Sequence, residues 1–387
     1  MTTKSATFYS KAHYSHAKDT PETHSFITDD VKEDRRDKAV GMWLMFCSTV
    51  LFWCLAIGGT TRLSGAGLSI TRWDPIGTII PPLNENQWKS ELDLYKLTPE
   101  YKLKHATPVL QSDLPLHEFK SMWMMAYLHR LLSHLLAIVF FVPCAYFWYK
   151  GKFNSKAKKL MIACGVLLAL QAVVGWFVVK SGLESDATGT TKLICPYRLA
   201  LHLLLGFFLY MLLLLPAFAH LFKPVYYVEA AQSIKAYRGL VSFTITSMLI
   251  TVTFGAFVAG LEAGKIYNTW PLYNGNFFPQ NMNVERPMIR NFFENPGTVQ
   301  FLHRNMAYIT LGLVIFTYVR GRRMTLHKRA LMALNGMLVL GLLQVVVGIT
   351  NLLLTAPGWL SAVHQTGALS FIGMATWLMF EICHSSK

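Results

Sequence analysis

Long apolar stretches alternate with short polar segments along most of this 387-residue chain. Each stretch holds about 20 residues, the length that an α-helix needs to cross the hydrocarbon core of a bilayer. The pattern predicts an all-α fold: a polytopic membrane protein of eight transmembrane helices without a separate soluble domain. The predicted spans lie at about 40–60, 121–148, 160–180, 199–221, 239–260, 300–319, 330–354 and 360–382.

The two halves of the chain share short motifs in the same order, which indicates an internal duplication. The matching pairs are His129-Arg130 with His303-Arg304, Gln171–Gly175 with Gln344–Gly348, and Ala66-Gly67-Leu68 with Ala259-Gly260-Leu261. Because each half holds an even number of spans, both halves have the same orientation and are related by an axis along the membrane normal. The duplication predicts two tandem four-helix bundles related by an internal pseudo-twofold repeat.

The predicted spans and the duplication divide the chain into four parts. We expect a polar, flexible N-terminal segment at 1–39, an N-terminal bundle at 40–222, an inner linker at 223–238 and a C-terminal bundle at 239–387.

The composition excludes an ordinary soluble domain and a disordered chain, because 53% of the residues are apolar and only 15% are charged. The net charge of +15 would suit a nucleic-acid partner, but the basic residues cluster in two short loops, at 150–159 and 320–329. Short loops rich in lysine and arginine stay on the cytoplasmic or matrix side. We therefore expect a lipid bilayer and no nucleic acid as the partner of these charges.

The same loops predict the topology. Both termini are expected inside, with the long loops 61–120, 181–197 and 261–299 outside, in a bacterial cytoplasmic membrane or a mitochondrial inner membrane. Cys195 is the only one of six cysteines in an outer loop, so no structural disulfide is expected there. A homo-oligomer is compatible with this organisation.

Four histidines, His129, His202, His303 and His364, lie near the starts of the second, fourth, sixth and eighth spans. A lone histidine in a helix is more often a hydrogen-bonded core residue than a ligand. Four at repeat-related positions, all toward the outer leaflet, favour ligation, because an ionisable residue inside a membrane is costly and usually functional. The pattern predicts two sites, each formed by two histidines on two helices.

Haem iron fits these pairs better than zinc does. Zinc recruits compact shells of histidine, cysteine and carboxylate, and no acid or cysteine lies within a helical turn of these histidines. Two helices that each present one imidazole can supply both axial ligands of a haem. Arg130, Arg198 and Arg304 could pair with haem propionates, or they could extend to lipid headgroups instead.

At these residues the chain resembles the haem A synthase family, the Cox15/CtaA proteins, over nearly everything after residue 40. The matching segments include Gly58-Gly59-Thr60-Thr61-Arg62-Leu63, Gly67-Leu68-Ser69, Pro81-Pro82, Pro99-Glu100-Tyr101, Val179–Glu184, Tyr197-Arg198-Leu199-Ala200, Tyr267-Asn268, Phe293-Glu294-Asn295-Pro296 and Ala362-Val363-His364-Gln365. The absence of cysteines from the first outer loop is similar to the mitochondrial and proteobacterial branch, since the other branch has a cysteine pair there.

The resemblance implies that haem O is oxidised at a ring methyl group to a formyl group by successive hydroxylations. It implies that His129 and His202, with Arg130 and Arg198, bind the substrate haem O and the product haem A. It also implies that His303 and His364, with Arg304, bind a resident haem b. The implied partners are a haem O synthase, cytochrome c oxidase assembly, and a reductant protein or quinone as the electron partner.

One residue departs from the family pattern. The family usually has glutamate three residues before the first histidine, where this chain has Ala126. A carboxylate there could move protons near the reacting methyl group, and alanine cannot. Glu118 and Glu184 are acids on the outer side that could substitute. The family also tends to have arginine where His134 stands, and the role of His134 stays open.

Three functions remain in consideration. The first is haem A synthase. The second is a non-catalytic relative that binds two haems and acts as an electron carrier or an oxidase-assembly partner, which Ala126 would explain. The third is an oxidoreductase with the same scaffold that uses a quinone or another redox partner.

Overall fold

The computed structural model describes residues 26–27, 37–72, 74, 79–105, 114–183, 194–227 and 231–383. Most of the N-terminal segment predicted at 1–39 lies outside these ranges, as does Glu184. In the described residues the helices are α1 (Lys38–Leu63), α2 (Glu85–Lys96), α3 (Pro99–His105), α4 (Leu116–Tyr149), α5 (Ser155–Leu183), α6 (Pro196–Leu221), α7 (Ala231–Gly260), α8 (Ala263–Ile266), α9 (Asn291–Glu294), α10 (Pro296–Arg322), α11 (Lys328–Leu353) and α12 (Gly358–Ile382). Strands β1 (Phe26–Ile27) and β2 (Tyr226–Tyr227) pair antiparallel.

The all-α fold is confirmed, and each predicted span coincides with one long helix. By length and hydropathy six of these helices qualify as membrane spans: α1, α4, α5, α6, α7 and α11. The other two, α10 and α12, carry polar residues such as Gln300, Arg304 and Gln365 among their apolar ones. Helix α7, which corresponds to the fifth predicted span, begins earlier than expected, at Ala231. This residue lies inside the segment predicted as an inner linker.

The two halves of the chain use the same pairs of neighbouring helices. In the first half α1 packs against α4 and α6, and α5 packs against α6; in the second half α7 packs against α10 and α12, and α11 packs against α12. The halves meet where α6 contacts α7 and α12, and where α1 contacts α12. Four central helices (α1, α6, α7 and α12) therefore form the junction, and four others flank it.

The surfaces of the flanking helices are apolar. Ile138 and Val142 of α4 and Val166 of α5 are each more than 60% exposed. Large apolar surfaces of this kind are unusual in soluble monomers and are typical of helices that face lipid. The side chains that point inward instead fill one extended core, in which Leu44, Phe207 and Ile372 are fully buried.

Polar contacts hold one end of the molecule together. Asp37 caps the N-terminus of α1 and lies 3.0 Å from the ammonium group of Lys152, in the turn between α4 and α5. The hydrogen bond from Lys152 lowers the pKa of Asp37 below its ordinary value. Arg329, at the start of α11, contacts buried Glu381 near the end of α12 at 3.1 Å. The start of α1, the α4–α5 turn, the start of α11 and the end of α12 thus have polar partners that fix their packing.

Hydroxyl groups join α7 to α10. Thr244 and Thr317 lie 3.0 Å apart, and Thr310 lies 2.7 Å from Ser247 and 2.9 Å from Thr251. Hydrogen bonds between small polar residues are a common way for helices to associate in lipid. These hydrogen bonds fix the part of α7 that contacts His303, one of the predicted ligands.

Candidate functional site

The four histidines lie on four different helices: His129 on α4, His202 on α6, His303 on α10 and His364 on α12. The rings of His303 and His364 are 6.4 Å apart between centroids and nearly perpendicular, at 89°. An ion held by both rings through metal–nitrogen bonds of about 2 Å would put their centres about 6 Å apart. The structure therefore brings His303 and His364 together, and it places His129 and His202 on α4 and α6, which both pack against α1.

Each of the four histidine rings lies against a glycine of a neighbouring helix. A Cβ atom at the glycine would approach the ring's Cε1 atom to 2.5 Å for Gly58 and His129, 3.2 Å for Gly175 and His202, 3.0 Å for Gly255 and His303, and 3.0 Å for Gly348 and His364. Any larger residue would press on the ring or displace it. Close approach of this kind is what glycine permits, and it occurs at all four rings.

Hydrogen bonds orient the first histidine of each pair. The Nδ1 atom of His129 lies 3.0 Å from the carbonyl oxygen of Cys54, and Nδ1 of His303 lies 3.0 Å from that of Thr251. A carbonyl oxygen can only accept, so each Nδ1 carries the proton and donates. Each Nε2 then keeps its lone pair, which is the state that binds a metal.

Glutamines contact the second histidine of each pair. Gln171 donates to the backbone carbonyl of His202 at 3.0 Å. The amide of Gln344, in the orientation that satisfies its hydrogen bonds, donates to the carbonyl of His364 at 2.9 Å. Each glutamine precedes its site glycine by four residues, or about one turn. The Nδ1 atom of His202 is buried without a hydrogen-bond partner in the described part of the chain.

These contacts correct one detail of the predicted repeat. Gly58 and Gly255 each lie against the first histidine ring of a pair. Cys54 and Thr251, four residues before them, each accept the hydrogen bond from that ring. The match between Ala66-Gly67-Leu68 and Ala259-Gly260-Leu261 is therefore out of register by about one helical turn. The first and fifth spans align through the residues that touch the histidines.

Arg304 has free donors beside the C-terminal pair. Its Nη2 donates to the carbonyl oxygen of Thr269 at 2.8 Å and to Oε1 of Gln300 at 3.0 Å, and its guanidinium group lies 4.1 Å from the centre of the Tyr273 ring. Its Nε and Nη1 atoms are buried with no hydrogen-bond partner in the ranges described. Unpaired donors of this kind are costly without a ligand, and they suit an anionic group such as a propionate.

The other predicted arginines are placed differently. Arg130 donates to the carbonyl oxygens of Arg72 and Ile70, and Arg198 donates to that of Phe177. Sequence reasoning assigned no role to Arg62, one turn beyond Gly58, yet its Nε and Nη2 atoms are buried and lack partners among the described residues. In the described part of the first half, Arg62 thus has buried donors without partners, as Arg304 has in the second half. Only its position in a matching motif could have pointed to it.

The surroundings of Ala126 are apolar. Ala126 is buried in a cluster with Ile70, Phe119 and Trp123 that also includes residues of α2. Glu118, the acid predicted as a substitute, lies in the first turn of α4 with its side chain 58% exposed. Glu118 is therefore not positioned to replace a carboxylate at residue 126.

Cys54 is a neighbour of the first site that the sequence did not reveal. Its thiol lies 3.7 Å from Nδ1 of His129 and 3.3 Å from the hydroxyl of Ser133. The thiol is on the Nδ1 side of the ring, away from the nitrogen that would coordinate iron. All six cysteines are free in the structure.

The residues present fit haem. Within the described ranges no three histidine, cysteine or acidic side chains converge as a metal-binding group, so neither pair has the ligands of a protein-only zinc site. A haem supplies four ligands itself and needs two imidazoles from the protein. The paired rings, the glycines against them and the unpaired guanidinium donors match that requirement.

The fold and these contacts define a class of protein: multi-pass helical membrane proteins with histidines packed against glycines between their helices. The model of the COX15-CtaA family, described as cytochrome oxidase assembly protein, matches residues 41–376. The chain belongs to this family.

Similar proteins are found in both eukaryotes and bacteria. The chain is 36% identical over 348 residues to heme A synthase COX15 of Homo sapiens, covering 89% of this chain and 83% of that protein. It is 36% identical over 351 residues to the heme A synthase of Wolbachia pipientis wMel, covering 90% and 93%. The heme A synthase of Nitrosospira multiformis is 36% identical over 348 residues, covering 89% and 94%.

Proposed function

We propose that this protein is a haem A synthase, which oxidises a ring methyl group of haem O to a formyl group and supplies haem A for cytochrome oxidase assembly. The observation that carries the proposal is the set of four histidine–glycine contacts, two in each half, in a chain of the COX15-CtaA family. Similarity to heme A synthases over about nine-tenths of the chain supports the same activity.

The two pairs are assigned different haems. His303 and His364 would hold a resident haem b, with Arg304 on a propionate. His129 and His202 would hold haem O, with Arg62, Arg130 and Arg198 as the basic residues nearby. The resident haem, when bound, supplies a redox centre beside the substrate.

The protein's own residues orient the substrate and exclude water. The carbonyls of Cys54 and Thr251 hold the ligand rings in the tautomer that leaves Nε2 free. The glycines at 58, 175, 255 and 348 have no side chain, and this leaves space for the histidine rings. The apolar cluster of Phe119, Trp123 and Ala126 includes the residue one turn before His129 on α4, and it would keep water from that end of the first site.

Ala126 favours one alternative. A chain without the usual glutamate could bind two haems without converting haem O, and could act as an electron carrier or an oxidase-assembly partner. The burial of Ala126 among the apolar side chains of Ile70, Phe119 and Trp123 supports this alternative.

Haem extracted from cells that produce this chain together with a haem O synthase tests the proposal. We expect the native chain to form haem A weakly. Ala126→Glu should raise the yield about tenfold, because a positioned acid or base accelerates proton transfer. The matched control is Ala126→Gln, which adds the same bulk without an ionisable group and should give no gain.

The haem content of each variant has to be measured in parallel, because a buried acid destabilises an apolar cluster. Haem A from the native chain supports the proposal. Its absence from the native chain and from Ala126→Glu, with both haems bound, would instead establish the non-catalytic alternative.

We also propose the full membrane arrangement: eight spans in two repeat-related bundles, with both termini inside and all four histidines toward the outer leaflet. The equivalent helix contacts of the two halves support it. The absence of cysteine from residues 61–120 supports placement in the branch without an outer-loop cysteine pair. A reductant protein or a quinone is the expected electron partner.

Labelling of single cysteines in intact cells or mitoplasts tests the topology. In a cysteine-free background, Lys89→Cys on α2 should react with an impermeant maleimide, while Lys156→Cys and Arg323→Cys should react only after the membrane is opened. All three positions are exposed in the structure. Reaction at residue 323 from outside would invert the arrangement and place the histidines in the opposite leaflet.

A further inference from the structure

A single glutamine joins the two histidine sites. Gln365 follows His364 on α12, and its Nε2 atom donates to the carbonyl oxygen of Leu55 on α1 at 3.1 Å. The amide lies directly over Gly59, where a Cβ atom would overlap with it. Gln365 therefore anchors the helix that carries one ligand to a specific turn of α1.

That turn of α1 also holds the other site. Leu55 follows Cys54, whose carbonyl oxygen accepts the hydrogen bond from Nδ1 of His129 at 3.0 Å. Gly59 follows Gly58, which lies against the ring of His129. Two hydrogen bonds and one helical turn thus connect His364 of the C-terminal pair to His129 of the N-terminal pair.

Among the described residues, the equivalent junction on the other side of the molecule has no such link. Leu203 follows His202 as Gln365 follows His364, and Ala256 follows Gly255 as Gly59 follows Gly58. Leu203 packs against an apolar cluster that contains Ala256 and Phe257. A leucine side chain cannot donate a hydrogen bond. The polar link is therefore specific to the contact between α12 and α1.

We propose that Gln365 is a positioning residue that couples the two sites, so that haem bound at His303 and His364 strengthens haem binding at His129 and His202. Ordering α12 around the first haem orders the turn of α1 through Gln365, and the second haem then meets a ligand already in place. By linkage the effect is reciprocal. This inference rests on the proposed function, because it requires both pairs to bind haem.

The coupling is measured as a ratio of affinities. The full chain, purified from haem-deficient cells, is titrated with iron protoporphyrin IX, and binding at the N-terminal pair is followed by absorbance. The affinity is determined with the C-terminal pair intact and filled, and again with that pair disabled by His303→Ala. We expect a ratio of about ten in the native chain, within the usual range of coupling between sites.

Two independent variants remove the link. Gln365→Met keeps the length of the side chain but removes the donor, and Gly59→Ala excludes the amide from its place on α1. Each should bring the ratio close to one and should alter the electron paramagnetic resonance spectrum of the haem at the N-terminal pair. The double variant should be no worse than either single variant, because both act through the same contact. Leu203→Met is the matched control and should leave the ratio unchanged.

The outcomes separate this inference from the proposed function. Failure of both pairs to bind haem in the native chain would overturn the proposed function. Binding at both pairs with a native ratio of one, or with a ratio that Gln365→Met leaves intact, would overturn the coupling alone. If one variant fails to fold, the other still decides the question.

Discussion

Replacement of His303 or His364 by alanine is expected to abolish haem binding at the C-terminal pair. On the proposed assignment, each substitution would remove one of the two imidazoles that hold the haem and would leave an apolar gap in its place. The two rings approach each other at 6.4 Å between centroids, and no other histidine, cysteine or acid converges with them in the described ranges. The purified variants should lose the low-spin bis-histidine spectrum of one haem while the spectrum of the other remains.

His134→Ala is the matched control for this experiment. His134 lies on α4, five residues beyond His129, and thus on a different face of the helix. Its removal should leave the haem content of the protein unchanged. Full haem content in both His303→Ala and His364→Ala would show that the C-terminal pair is not a haem site.

Enlarging the glycines that face the rings is expected to have an effect nearly as large. Valine at Gly255 or Gly348 would place its Cβ atom 3.0 Å from Cε1 of His303 or His364, before its two methyl groups are counted. The ring would have to rotate away from the position in which it would hold haem under the proposed assignment. We expect at least a tenfold loss of haem affinity, similar to other disruptions of the residues that orient a ligand.

Gly312→Val controls for the cost of valine in a helix. Gly312 lies on α10, and no atom lies within 4 Å of its would-be Cβ. Haem titration and thermal unfolding of the three variants should show normal haem affinity for Gly312→Val only. Equal losses in all three would mean that valine weakens the helices themselves and that the ring contacts are not responsible.

The location of Ala126 adds a desolvation cost to its substitution by glutamate. Considered from the sequence, a carboxylate at this position is one turn from His129 on the same helix. In the structure the position is enclosed by Ile70, Phe119 and Trp123. An added glutamate must therefore be desolvated to reach the site, which raises the importance of measuring haem content beside activity.

The sequence by itself was sufficient to predict the long helices, and it indicated four histidines as candidate ligands. Hydropathy over about 20 residues is a local property, because a helix in lipid has to satisfy its own backbone and expose apolar side chains. The positions of His129, His202, His303 and His364 in two matched pairs could likewise be read from spacing alone. Local signals were weaker for α10 and α12, whose polar residues reduce their hydropathy.

Only the tertiary structure decided which residues meet. The contact of Gly58 with His129 and that of Gly255 with His303 join different helices, so they depend on how the helices rotate and slide against one another. This is why the repeat motif after the first span was aligned one turn out of register. The same holds for the thiol of Cys54 beside His129, which no spacing along one helix could predict.

The tertiary structure also revealed where the two halves differ. The duplication predicts equivalent junctions, and along the sequence Gln365 and Leu203 are simply the residues that follow two histidines. Packing brings Gln365 onto Leu55 and Gly59, while Leu203 enters an apolar cluster. A hydrogen bond between residues 310 positions apart is set by the packing of α12 against α1, whereas the histidines themselves are set by the order of residues along each helix.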